Sequence, residues 1–129
     1  MIIDQSVGRW VCEKIGSEFR EDKFCIGEGS PLESGALFEK YNGSSVLVTL
    51  ATDKSFSKEF INKIHEIAFK ILKVNHVIVQ VSSSNAKSLN LVRKLKFKQR
   101  GLIPKGMPDG DMLIFSLSRD DRKFGVDHG

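Results

Sequence analysis

Apolar positions along the chain follow two rhythms, and the switches between them predict the order of elements. Val7, Trp10, Val11 and Ile15 recur at helical spacing with polar residues between them, and Gly16-Ser17 suits a stop, so 6–15 reads as a helix. Residues 23–27 read as a short strand, broken by Gly27-Glu28-Gly29-Ser30-Pro31. Two further strands, 36–41 and 45–51, flank Asn42-Gly43, a strong hairpin signal. The second of them, Val46-Leu47-Val48-Thr49-Leu50-Ala51, is apolar almost throughout, which predicts a strand covered on both faces.

A long amphipathic helix follows. Its stripe is Phe60, Ile61, Ile64, Ile67, Ala68, Ile71 and Leu72, with Ser55 or Ser57 as its cap. Residues 77–81 form the next buried strand, and 86–96 a helix that turns Leu89, Val92 and Leu95 inward. The stretch 102–118 reads as two strands joined around Pro108-Asp109-Gly110-Asp111. From Arg119 onward the chain is polar and charged, and is expected to fray. Hairpins are thus mixed with strand–helix–strand crossovers. The expected class is α/β (α+β), with a mixed, mostly antiparallel twisted sheet flanked by helices. Residues 1–121 are expected to form one domain, and 122–129 a charged tail.

Composition narrows the class without naming a chemistry. A chain of 129 residues, 40% hydrophobic and 28% charged, is globular in type. No apolar run approaches the roughly 20 residues that span a bilayer. Met1-Ile2-Ile3-Asp4 lacks the basic stretch and apolar core of a signal peptide, so a cytoplasmic location is expected. Cys12 and Cys25 are too few for a disulfide framework and lack zinc-site spacing; they read as reduced core thiols, with no metal site. The net charge of +4 is spread along the chain and favours an anionic ligand of either kind, phosphorylated cofactor or nucleic acid.

The order of elements resembles the GNAT superfamily, the acetyl-CoA-dependent N-acyltransferases. The resemblance is sharpest where 77–81 leads into Ser84-Asn85-Ala86-Lys87-Ser88 and Leu95-Lys96-Phe97. Members typically show a strand, an Asn, a small residue three positions on, and a helix closing in Leu-Gly-Phe. Asn85, Ser88, Leu95 and Phe97 fill those places, and Lys96 replaces the Gly. A nearer likeness is to the GNAT-like proteins of tailed bacteriophages. Trp10-Val11, Cys25-Ile26-Gly27, Gly35-Ala36-Leu37-Phe38, Asn42-Gly43, Ala51, Asp109-Gly110-Asp111 and Arg119-Asp120 match that subgroup's motifs in order. A phage-encoded protein would work in the host cytoplasm.

The resemblance implies acetyl-CoA as acyl donor and a small-molecule or protein amine as acceptor. It implies that pantetheine adds to the strand before the long helix, with backbone N–H groups at Thr49, Leu50 and Ala51 serving the arm and the thioester carbonyl. The family's pyrophosphate loop, Arg/Gln-x-x-Gly-x-Gly/Ala, is missing: 52–58 holds no glycine, and Lys54, Ser55, Ser57 and Lys58 stand around the helix start instead. Asn85 is expected both to cap its helix and to contact the pantetheine arm, with Ser88 beside it. The family's acid tyrosine, seven residues after the Asn, is replaced by Val92. The sole tyrosine, Tyr41, reads as a surface or cross-strand residue. Ser84, with Ser82 and Ser83, is a substitute acid, though a hydroxyl is a poor one, and water is the fallback. Glu39 is the candidate base, while His65 reads as a partly exposed helix residue and His76 has no evident partner. The missing loop and tyrosine favour a second reading: a catalytically silent GNAT-fold phage structural or host-interaction protein. Nucleic-acid binding through the lysines of 87–100 is disfavoured, because aromatic interleaving is absent. The terminal hairpin is placed to pair across a homodimer.

Overall fold

A computed structural model describes residues 5–15, 24–53 and 55–121. The elements are α1 (Gln5–Ile15), β1 (Phe24–Glu28), β2 (Ser34–Glu39), β3 (Ser45–Thr52), α2 (Lys58–His65), β4 (His76–Ser82), α3 (Ala86–Lys94), β5 (Lys98–Met107) and β6 (Gly110–Ser118). A π-helical stretch, Glu66–Ile71, prolongs α2, and a single 3₁₀ turn, Arg119–Asp121, follows β6. The six strands form one sheet in the order β1-β2-β3-β4-β6-β5. Every neighbouring pair is antiparallel except β3 and β4, which run parallel because the α2 crossover returns the chain in the same direction. The mixed, mostly antiparallel sheet expected from the order of elements is the one formed.

Alternation along the strands sorts the side chains into two layers. On one face Ala36, Phe38, Val46, Val48, Val77, Val79, Val81, Leu113, Phe115 and Leu117 pack with Phe60, Ile64, Phe69, Val92 and Leu95, so α2 and α3 cover the same side. On the other face α1 lays Val7, Val11 and Cys12 over Cys25 and Leu37. Both cysteines are buried, as expected. The close approach of α1 depends on a cross-strand glycine pair, Gly27 opposite Gly35. A Cβ at Gly27 would lie 2.8 Å from Val7 Cγ2, and one at Gly35 would lie 2.6 Å from Val11 Cγ2. The predicted 6–15 helix therefore docks by a feature its own periodicity does not reveal.

Four expectations change. β3 is central but not sealed on both faces: Val46 and Val48 are buried, whereas Leu47, Thr49, Leu50 and Ala51 are half-buried. The hairpin is wider than the Asn-Gly signal implies. β2 ends at Glu39, and Asn42 Oδ1 accepts the amides of Ser44 at 2.9 Å and Ser45 at 2.8 Å, an Asx-type turn. The stripe on α2 shifts in register where the π-helical bond Leu72 N–H to Ile67 O, 2.8 Å, admits an extra residue per turn. Ile71 is thereby turned out and 62% exposed, while Phe69 is buried in its stead. His65, expected to be partly exposed, is buried, and its Nδ1–H donates to the Ile61 carbonyl at 2.8 Å.

Candidate functional site

The site begins with a ladder that stops. β3 and β4 pair at only three positions, Ser45 with His76, Val46 with Val77 and Leu47 with Ile78. Yet β3 continues to Thr52 and β4 to Ser82. Five residues of β3, 48–52, therefore run on for about 16 Å with no partner strand on that side. Every second residue in such a stretch turns its N–H and C=O toward the gap. Thr49, Leu50 and Ala51, the three positions expected to meet the pantetheine arm, lie in this stretch. All three keep their partners in β2: Leu37, Ala36 and Gly35 respectively. Had the ladder continued, Thr49 would have met Gln80, an exposed polar residue on β4 that sequence reasoning passed over because it sat in an apolar run.

Both strands open at their C-terminal ends, so the two helices that follow start at the mouth of the gap. Ser57, not Ser55, caps α2: its Oγ accepts the Phe60 amide at 3.0 Å and donates to Glu28 Oε2 at 2.8 Å. Ser55 and Lys58 are exposed nearby, and Lys54 lies outside the described residues. Asn85 caps α3 through Oδ1, which accepts the Ser88 amide at 3.1 Å. The residue pair expected from the family pattern is thus brought together, Asn85 exposed at the mouth and Ser88 half-buried one turn on.

Glu28 comes from the end of β1 and puts a carboxylate on the cap of α2, a contact that no short motif signals because 29 positions separate the two residues. Around it, Asp53 is paired with Lys14 at 2.7 Å, and Ser34 Oγ and Thr52 Oγ1 lie 2.8 Å apart across β2 and β3. Thr52 Oγ1 in turn donates to the Glu33 carbonyl at 3.1 Å.

The serines at the end of β4 serve the terminal hairpin. Ser84 Oγ donates to Asp109 Oδ2 at 2.6 Å and Ser82 Oγ to Asp109 Oδ1 at 2.7 Å. Ser83 accepts the Asp111 amide at 2.9 Å and gives its own amide to the Asp111 carbonyl at 2.9 Å. The hydroxyl bonds from Ser84, then Ser82, hold the Asp109 carboxyl below its ordinary value. A proton donated to such a carboxylate is poorly placed to move to a thiolate.

The remaining candidates separate clearly. Glu39 is half-buried at the hairpin end of β2, opposite Leu47, level with the point where β3 and β4 part and one strand away from the gap. Val92, in the place of the acid tyrosine, is 4% exposed and belongs to the core. Tyr41 is at the opposite end of β3 from the mouth; its hydroxyl donates to the Leu72 carbonyl at 3.0 Å, a surface tie as expected. Among the described residues no helix is long and apolar enough to cross a membrane, and no three His, Cys, Asp or Glu side chains are grouped to hold a metal.

The sequence matches no family model and no curated protein. Solved structures do match in three dimensions. A crystal structure described as "Probable acetyltransferase" superposes with a TM-score of 0.61 at 20% identity, over 70% of this chain and 57% of that one. A chimera of spermidine N-acetyltransferase SpeG from Vibrio cholerae with hSSAT gives 0.66 at 16%, over 76% and 69%. A third, described as "putative acetyltransferase", gives 0.67 at 17%, over 88% and 64%. The chain therefore spans less than two thirds of two of these three relatives. At such identities the likeness is one of fold, and the fold is that of the GNAT acetyltransferases.

Proposed function

We propose that this chain is an N-acyltransferase that moves an acetyl group from acetyl-CoA to an amine. The observation that carries the proposal is the parting of β3 from β4 after three pairs, with a capped helix start on each side of the mouth. Such a gap offers unpaired strand backbone to an extended ligand whose own amides can complete the ladder, which is the chemistry of a pantetheine arm. In this reading Thr49, Leu50 and Ala51 hold the arm and offer an N–H to the thioester oxygen as it gains charge. Asn85 and Ser88 hold the arm from the α3 side. Lys54, Ser55, Ser57 and Lys58, which the sequence suggests for the donor's phosphates, belong to the segment that leads into α2.

The transfer itself needs a neutral amine and a proton for the departing thiolate. Glu39 is assigned the base role, acting on an amine that enters from the α1 side of the sheet. With Ser84 bonded to Asp109 and Val92 in the core, the proton for the thiolate is assigned to water. The acceptor is a small amine or a protein amine; spermidine acetylation by a structural neighbour supports the former class. The ordered motifs of the sequence support kinship with the GNAT-like proteins of tailed bacteriophages.

Calorimetry with acetyl-CoA and with desulfo-CoA tests the reading. Binding of both, with Asn85→Ala weakening each, is the expected result; no heat and no thermal shift at millimolar donor would remove it. Two observations favour a second reading, a silent fold used for binding alone. Val92 is buried where an acid would stand, and a carboxylate sits on the cap of α2. That reading predicts no acetyl transfer to any amine even where donor binds.

A further inference from the structure

We infer that Glu28 sets the donor preference of this chain, by excluding phosphate from the start of α2, so that recognition rests on the pantetheine arm and not on the nucleotide end. The inference depends on the acyltransferase reading above. A helix start that grips phosphate presents free amides, positive charge and no competing anion. Here the cap is already occupied. Ser57 Oγ takes the Phe60 amide and gives its own proton to Glu28 Oε2 at 2.8 Å. Glu28 is therefore held as an anion's stand-in at the place where a donor's phosphates would settle.

Lys58, exposed in the first turn of α2, stands beside carboxylates that offset its charge. Glu59 lies in the first turn of α2, and the nearby Asp53 takes up Lys14 at 2.7 Å. No glycine in 52–58 lets the backbone close on a phosphate. Two unit charges a few ångströms apart at a half-exposed surface repel by an amount worth roughly a factor of ten or more in affinity. By contrast, the gap between β3 and β4 and the Asn85 cap are open to an uncharged arm. The ligand class that fits is an acyl thioester of pantetheine, whose nucleotide is carried along in solvent and not held. A free pantetheine thioester and one borne on a carrier protein share that chemistry.

The test compares S-acetylpantetheine with acetyl-CoA by calorimetry on the full chain, for the wild type, Glu28→Gln and Glu28→Ala. The wild type is expected to bind the two donors within about fivefold of each other. Both variants should bind acetyl-CoA about tenfold more tightly, with S-acetylpantetheine changed less than twofold and melting temperatures retained. Glutamine keeps an acceptor for Ser57, so its effect reports charge and not folding. An acetyl-CoA preference above a hundredfold in the wild type, unmoved by either variant, would overturn the inference and leave the acyltransferase reading standing. Failure of both donors with all three proteins would overturn that reading and the inference with it. A phosphopantetheinylated carrier protein carrying an acetyl group, run beside the free thioester, separates the two sources: tighter binding of the carrier assigns the donor to it, and equal or weaker binding assigns the free thioester.

Discussion

Ser84 Oγ stands 2.6 Å from Asp109 Oδ2, and this contact ties the end of β4 to the turn between β5 and β6. Ser82 completes the clasp on the other carboxylate oxygen at 2.7 Å. Because the bonds hold the folded-state pKa of Asp109 below its ordinary value, the clasp contributes stability above the ordinary carboxylate range and loses it as pH falls through the lowered value. Asp109→Asn should therefore melt below the wild type at neutral pH, and the two melting temperatures should converge in acid as pH falls through the lowered value. A pH series of thermal melts measures it. Ser84→Ala should lower the melting point in the same sense and leave acetyl turnover within about threefold; a loss of a hundredfold or more would restore Ser84 as a proton donor.

Gly35 faces Gly27 across β1 and β2, directly beneath α1. Adding one methyl at Gly35 would bring it to 2.6 Å from Val11 Cγ2 and 3.2 Å from Val7 Cγ1, in a buried interface with no slack. Gly35→Ala should cost about 1–3 kcal/mol in chemical denaturation. Pairing it with Val11→Ala should return part of that cost, giving a coupling of about 0.5–2 kcal/mol. Additive effects would show that α1 can lift away without penalty.

Lys96 adopts φ 72, a left-handed conformation, in the turn after α3 where the family pattern carries glycine. Its amide donates to the Arg93 carbonyl at 3.1 Å, which holds the turn in place. Lys96→Gly relieves about 1–2 kcal/mol of backbone strain while enlarging the unfolded state's freedom, for a net gain of about 0.5–1 kcal/mol. Denaturant titration at fixed m-value reads that gain directly.

Asn85 caps α3, and a pair of substitutions can part that role from the proposed contact with the donor. Asn85→Ala removes the acceptor for the Ser88 amide and should cost about 1 kcal/mol of stability along with donor affinity. Asn85→Ser restores a capping oxygen but not the amide's reach. Its stability should recover to within a few tenths of a kcal/mol while acetyl-CoA binding stays weak. If Asn85→Ser binds donor as the wild type does, Asn85 is a cap alone.

Local chemistry was the legible part of this chain. Helices α1 and α3, the 77–81 strand, the Asn85 cap and the Asp109 turn can each be read within about ten residues, and each forms close to the expected bounds. Contacts between distant segments were not legible. Nothing near Ser57 announces that Glu28 reaches its hydroxyl, and nothing in the apolar run 46–51 announces that its second half loses its β4 partner after Leu47. Glycine spacing concealed the Gly27–Gly35 pair for the same reason, since register is decided by the loop between two strands.

The π-helical stretch is where sequence and structure part most sharply, and it yields opposed expectations for neighbouring residues. An uninterrupted α-helix would bury Ile71 with Ile64 and Ile67 and leave Phe69 at the edge. With the wider turn, Phe69 is 1% exposed, packs 6.0 Å from the His65 ring and lies 5.7 Å beneath the Arg119 guanidinium, while Ile71 is 62% exposed. Burying the larger aromatic surface in place of Ile71 favours the wider turn. Ile71→Ser should then change stability by no more than about 0.5 kcal/mol, whereas Phe69→Ala should cost about 3–5 kcal/mol. Equal costs at the two positions in urea unfolding would mean that the helix continues without the extra residue, and the reverse order would put Ile71 back in the core.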